Sequence, residues 1–142
     1  MKIRKVVRSK TPIEKVFAYL SDFTTTTSWD PGTVVTTRIK GDNSVGTEYR
    51  NTSTFAGRQT QLTYIVKEFI PDQLIRLRGE NKTVVAIDTM TFRKVGGETE
   101  VTYTAEFTFK GFTRFMALFL KPAFVKLGNQ AEVGMAKALN QL

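Results

Sequence analysis

Between residues 33 and 109 apolar and polar positions alternate with a period of two, in runs punctuated by turn residues, so this part of the chain reads as a meander of strands. Gly41-Asp42-Asn43-Ser44 separates 33–40 from 46–55, and Ala56-Gly57 separates that strand from 58–69. Pro71-Asp72 presets a turn before 73–79, Glu80-Asn81-Lys82 precedes 83–94, and Gly96-Gly97 is a two-residue hairpin signal before 98–109. A further strand is expected at the start, where Ile3, Lys5 and Val7 alternate with Lys2, Arg4, Val6 and Arg8 and give a basic outer face. Seven antiparallel strands accumulate enough twist to curl into a concave grip.

Elsewhere the spacing is helical. Thr11-Pro12-Ile13-Glu14 opens a helix, with Thr11 as N-cap, Pro12 at the first helical position and Glu14 completing a capping box. Ile13, Val16, Phe17 and Leu20 form its buried face. Ser21 or Asp22 caps a second, shorter segment, held to one or two turns before Trp29 by four consecutive threonines. From Phe112 onward Met116, Leu120, Phe124, Leu127, Ala131, Met135, Ala138 and Leu142 make one stripe of a long helix, expected to lie on the sheet. Pro122 interrupts that stripe and is expected to kink or break the helix near Leu118 to Lys121, a change costing about 3 kcal/mol in an ideal helix interior. The architecture predicted is α+β, one domain over residues 1–142: a seven-stranded curved antiparallel sheet around a long C-terminal helix, with two short helices after the first strand.

Composition narrows the chemistry. The absence of histidine removes the usual general base and metal ligand and rules out a Ser-His-Asp triad; the absence of cysteine rules out disulfides and thiolate zinc, and makes a cytoplasmic address the simpler expectation. MKIRKVVRSK lacks the apolar core of a signal peptide, and the longest apolar run, Phe115 to Leu120, falls far short of the roughly 20 residues needed to span a bilayer. The net charge of +8 is concentrated at the ends: residues 2–15 sum to +5, residues 110–142 to +4, and everything between to −1. A solvated surface is the plain reading of this, and a surface for anionic lipid or an acidic partner the functional one. Nucleic acid is disfavoured, because no aromatic-and-glycine signature of an RNA-binding sheet is present.

Pro12, Val16-Phe17, Tyr19-Leu20, Asp22, Trp29-Asp30-Pro31, Val45-Gly46-Thr47 and Phe69-Ile70-Pro71 stand at recognisable spacings. Over essentially its whole length the chain resembles the polyketide cyclase/dehydrase-type branch of the START-related SRPBCC superfamily, the helix-grip proteins. The resemblance implies a cavity between sheet and long helix that takes lipids, sterols, polyketides, hormones or quinones. Some relatives catalyse ring closure. The family has no fixed catalytic residues to carry over, so the resemblance speaks to fold more than to function.

Candidate site residues follow from strand parity. Val101, Tyr103, Ala105, Phe107 and Phe109 share one face, which should point inward, and Leu62, Tyr64 and Val66 make the same argument on their own strand. Each tyrosine either bonds within the core or offers its hydroxyl to a ligand. The parity of Met90 and Phe92 carries Asp88 with it. Three explanations stand: a slip or β-bulge turns Asp88 outward, an arginine such as Arg50 or Arg76 pairs with it internally, or it faces a ligand with a raised pKa. Trp29, the only tryptophan, is either a core plug or a lining of the cavity mouth. Phe112, Phe115 and Phe119 form a second apolar stripe that one helix face cannot bury; they cap the sheet opening, gate a ligand, meet a second copy, or touch an anionic membrane surface together with Lys110, Arg114, Lys121 and Lys126.

The first functional reading is therefore a non-catalytic carrier or sensor of a small hydrophobic ligand, lined by Trp29, Tyr64, Asp88, Met90, Tyr103, Phe107, Phe119 and Phe124. A polyketide cyclase or dehydratase working without metal or histidine is the alternative, and a domain that docks a protein partner is the third. No residue is singled out as catalytic, and neither a metal nor a cofactor is expected.

Overall fold

A computed structural model describes the backbone of residues 1–142 and every side chain except that of Phe112. The elements run β1 (Lys2–Ser9), α1 (Ile13–Ser21), a 3-10 turn (Phe23–Thr25), α2 (Thr26–Trp29), β2 (Thr33–Lys40), β3 (Glu48–Phe55), β4 (Arg58–Ile70), β5 (Leu74–Glu80), β6 (Val84–Val95), β7 (Glu98–Phe109), a second 3-10 turn (Gly111–Phe115) and α3 (Ala117–Leu139). The strands form one antiparallel sheet in the order β1-β7-β6-β5-β4-β3-β2. This is the helix-grip α+β arrangement the periodicity predicts, and the strands of the meander start and stop within about two residues of their predicted bounds because glycine and proline fix the turns. At Gly96 and Gly97 φ is 57° and 81°, the pair of positive values that a tight hairpin turn with right-handed strands demands.

Alternation decides which residues face the helices. On β6 Ala86, Asp88, Met90 and Phe92 are buried, and on β7 Val101 and Ala105 are buried in line with the half-buried Tyr103 and Phe107. The opposite face carries ion pairs, among them Glu100 held by Arg8 at 3.1 Å and Arg93 at 2.7 Å. Phe17 of α1 packs edge-on against Phe69 and Phe92 and closes one end of the concave face. Phe124 of α3 meets Phe55, Phe107 and Phe109 at centroid distances of 4.6, 4.8 and 5.9 Å toward the other end. The buried apolar residues accordingly divide into two clusters, with Tyr103 and Phe107 touching both.

Two local expectations are corrected. Thr11 does not cap α1: Pro12 occupies the cap position with φ −56° and ψ 145°, and no side chain bonds the first turn. The Thr11 hydroxyl instead donates to the carbonyl of Leu139 at 2.8 Å, satisfying one of the orphaned acceptors at the end of α3. Nor does Pro122 break the last helix. α3 runs through it from Ala117 to Leu139, so of the kink or break expected there the break is ruled out, and a 3-10 turn precedes the helix. Pro122 deprives the Leu118 carbonyl of its donor, and Leu118 is exposed, so water can replace the bond. Asp22 does cap the short segment as expected, accepting from the Thr24 amide at 3.1 Å.

Along α3 the predicted stripe is real but does not extend to its start. Phe124, Ala131 and Met135 are buried and Leu120, Leu127 and Ala138 half-buried, whereas Met116 precedes the helix and is exposed. No described helix is long and apolar enough to cross a membrane.

Candidate ligand-binding site

Between the two apolar clusters, under α3 and within the curve of the sheet, lies a cavity of about 150 Å³. Its walls come from every layer: Trp29 and Asp30 at the end of α2, Asn51 and Phe55 of β3, Tyr64 of β4, Asp88 of β6, Tyr103 and Phe107 of β7, and Phe124, Leu127 and Ala131 of α3. The lining grades from the buried Trp29, Tyr64 and Asp88 to the exposed Thr54, Thr60 and Thr83. The mouth therefore lies between the β3–β4 hairpin and the β5–β6 turn.

The closed end is polar in a specific way. Asp88 is 4% exposed and sits on the concave face, as parity requires, with no bulge in the β6–β7 register. Its Oδ2 accepts from the Tyr103 hydroxyl at 2.9 Å, while Oδ1 has no partner. Neither arginine considered for it arrives: Arg76 pairs with Glu68 and donates to Thr89, and Arg50 is exposed. Burial pushes the Asp88 carboxyl up to about 7, the Tyr103 hydrogen bond works against that rise, and the neighbouring Asp30 charge adds to it. Burial also raises Asp30, against hydrogen bonds from the Gly32 amide and the Thr33 hydroxyl, each at 3.0 Å. Tyr64 and Tyr103 are held well above the ordinary phenol range, chiefly by burial and then by the Asp88 charge.

Trp29 is 1% exposed, lies edge-on to Tyr103 with centroids 5.7 Å apart, and leaves its indole N–H unpaired. A buried donor without a partner costs about 1–3 kcal/mol, as does a buried acceptor. Two residues of the cavity lining thus each bury one unpartnered polar atom, a donor on Trp29 and an acceptor on Asp88. From Asp30 a chain of side-chain bonds runs through Thr33 and Asn51 to Ser53, toward the mouth. Thr36 and Thr26 join it at Asn51, with 2.8 Å from the amide to Thr36 and 2.6 Å between the two hydroxyls.

Of the eight residues predicted to line a cavity, Trp29, Tyr64, Asp88, Tyr103, Phe107 and Phe124 are brought together around it. Met90 and Phe119 are not. Met90 has the right parity but lies beyond Asp88 along β6, fully buried in the cluster under α1. Phe119 is 83% exposed, on a first turn of α3 where Leu118 is exposed as well. Trp29, expected as a core plug or a lining of the cavity mouth, is buried in the core and lies among the cavity residues away from the mouth. The Phe112 side chain lies outside the described residues. Sequence reasoning missed Asp30 and Asn51. Asp30 was visible inside Trp29-Asp30-Pro31-Gly32 as a residue suited to a local turn, while nothing in the alternation of β3 distinguishes Asn51 from an outward amide.

The sequence profile of the polyketide cyclase/dehydrase and lipid transport family matches residues 1–139. The chain belongs to this family. Its fold is shared with solved structures, among them a START superfamily protein from Mycobacterium smegmatis (TM-score 0.79, 13% identity, covering 99% of this chain and 97% of that one) and the Zhui aromatase/cyclase from Streptomyces sp. R1128 (0.77, 14%, 98% and 90%). A protein from Thermus thermophilus aligns with a TM-score of 0.81 at 12% identity, over 98% and 97% of the two chains. At such identities the likeness establishes fold. No curated protein matches the sequence. Family membership covers both cyclases and lipid transport, and among the described residues no cluster of three or more His, Cys, Asp or Glu side chains could hold a metal.

Proposed function

We propose that this domain binds a small hydrophobic molecule with one polar end in the cavity between sheet and α3. The observation that carries the reading is the pairing of a largely apolar chamber with two buried, unpartnered polar atoms, Asp88 Oδ1 and Trp29 Nε1. Trp29, Tyr64, Asp88, Tyr103, Phe107 and Phe124 are its proposed contacts. Apolar burial at about 25 cal/mol per Å² would supply most of the affinity, and the polar atoms would set orientation. A volume near 150 Å³ holds a single ring, so a sterol, quinone or fused polyketide would need the mouth to widen. Native mass spectrometry of protein purified from its own host tests the proposal: a retained small molecule, displaced in Trp29→Phe or Phe124→Ala protein, is the expected result, and an interior that stays empty and takes up no apolar probe defeats it.

A second reading, a cyclase or dehydratase, is favoured by one feature: the Tyr103–Asp88 pair sits on the cavity wall with a carboxyl whose affinity for protons lies near neutrality, where general acids and bases work best. Turnover of the retained molecule, abolished in Asp88→Asn, would select this reading over simple carriage.

Exchange with an anionic membrane is the partner surface in keeping with either. Phe115, Leu118 and Phe119 are 60%, 79% and 83% exposed, and Arg114 and Lys121 flank them. Flotation with vesicles containing phosphatidylglycerol should show binding that salt and Phe115→Ser both weaken. Absence of binding at low salt removes it.

A further inference from the structure

The charge of the cavity runs opposite to that of the molecule. The chain carries a net +8, yet the titratable side chains lining the cavity are Asp30, Tyr64, Asp88 and Tyr103, and no Lys or Arg is present among its described lining residues. The basic groups lie outside. Asp88 is buried to within 4% of completely, lines the chamber, and leaves one carboxylate oxygen unpaired. Tyr103 from β7 is its single hydrogen-bond donor, Tyr64 from β4 and Asp30 from the end of α2 are the other titratable groups facing it, and α3 presents Phe124, Leu127 and Ala131.

Fixed carboxylates in a chamber of low polarity repel an entering anion and attract a cation far more strongly than they would in water. A fatty acid, an aryl carboxylate or a phosphate ester would bring a third negative group to a place that offers no cation to meet it. A pure hydrocarbon would leave Asp88 Oδ1 unsatisfied. An ammonium group provides the missing donor and the counter-charge together, and the lining also holds the aromatic rings of Trp29 and Tyr103, a side-chain type that attracts cations. The remaining space is walled by Phe107 and Phe124 and has room for one ring.

On the strength of the ligand-binding reading above, we propose that the cavity is a site for a compact aromatic amine, with its ammonium on Asp88 beside Asp30 and its ring against Phe107 and Phe124. The geometry makes the site selective by charge. Since Asp88 must be ionised to serve, affinity for the amine rises between pH 5.5 and 8, while Tyr64 and Tyr103 stay neutral over that range.

Benzylamine, benzyl alcohol, benzoate and toluene, nearly equal in shape, separate the possibilities when titrated against Trp29 fluorescence and by calorimetry. At pH 8 benzylamine should bind at least tenfold more tightly than benzyl alcohol, and benzoate should not saturate. Asp88→Asn, which keeps an acceptor for Tyr103 and should fold, is expected to erase the preference for the amine; Asp30→Asn should reduce it about threefold. Benzoate binding as tightly as benzylamine, or an amine affinity unchanged in Asp88→Asn, overturns the proposal. Toluene and benzyl alcohol binding with no preference for the amine leaves ligand binding standing and removes its charge selectivity. Binding of none of the four, to protein shown folded by its thermal transition, overturns both.

Discussion

Gly134 of α3 lies directly against the carbonyl of Trp29, so close that a β-carbon on it would overlap that oxygen. The absence of a side chain on the helix lets α2 seat Trp29 deep enough to wall the cavity and meet Tyr103. Alanine is the better helix former by about 1 kcal/mol, yet Gly134→Ala must push α2 away from α3 through backbone, which cannot rotate aside. We expect the variant to be less stable by about 1–3 kcal/mol, and Trp29 emission to shift as the indole moves. Val133→Ala next to it, at a site 68% exposed, should stay within about 0.5 kcal/mol of the parent. Urea titration of the two separates a packing requirement from a propensity effect.

A second glycine fixes the cavity's other aromatic wall. Gly79 and Tyr64 are cross-strand partners on β5 and β4, and a β-carbon at 79 would stand 2.6 Å from Tyr64 Cε1. The ring lies flat over the glycine. In Gly79→Ala the ring must tip off the sheet into the space a ligand would use, so probe uptake should fall about tenfold or more. A stability loss of about 1–3 kcal/mol accompanies it. Unchanged uptake of a single-ring probe would mean that Tyr64 does not border the occupied space.

Asp88 makes stability depend on pH in an unusual direction. Its folded-state carboxyl is raised to about 7, chiefly by burial, whereas an unfolded aspartate titrates near 3.9. Between those values the folded protein holds a proton that the unfolded chain has released, so stability falls as pH rises. Asp88's contribution is fully present below about pH 4 and is lost as pH climbs through 7. Asp30, also raised, acts in the same sense. Urea midpoints at pH 5 and 8 should differ by more in the parent than in Asp88→Asn, and the variant should be the more stable of the two at pH 8. An identical pH dependence in both proteins would show that water reaches the carboxyl.

Much of this fold was legible because its turns are short and chemically marked. Pro71-Asp72 and Gly96-Gly97 impose strand ends locally, and a period of two then assigns every inward residue from one correct register, including Asp88. What escaped depends on distant partners. Thr11 looks like a helix cap until the chain end 128 residues later brings the Leu139 carbonyl to it. Phe119 carries the hydrophobicity of a core residue, but periodicity reports only which way a side chain points along the helix and not whether anything packs there, and Phe119 is exposed. Asn51 becomes a cavity residue through Thr33 and Thr36 on the neighbouring strand, which no local pattern announces.

The segment that leads from β7 into α3 is tied by Lys110 and Thr113 to the β5–β6 turn that borders the mouth. Lys110 pairs with Glu80 and donates to the Asn81 carbonyl at 2.9 Å, while Thr113 donates to the Thr83 carbonyl at 3.0 Å. Glu80 is drawn down to about 2, first by the Lys110 hydrogen bond and then by Arg78. A depressed carboxyl stabilises above its unfolded pKa and loses that effect as pH falls through the folded one, so this latch should persist to well below pH 4. Both partners are half-buried and reached by solvent, and salt will screen the pair, so Lys110→Ala should barely move the melting temperature. Its effect belongs to local opening. Amide exchange at Thr113 and Met116, whose N–H groups bond within this turn, should quicken several-fold in the variant and in the parent at high salt, with core amides such as that of Val66 unchanged. Single-ring probes should also enter faster without binding more tightly at equilibrium. Exchange in the turn that is indifferent to both the substitution and the salt would mean that the connection is held by its apolar contacts alone.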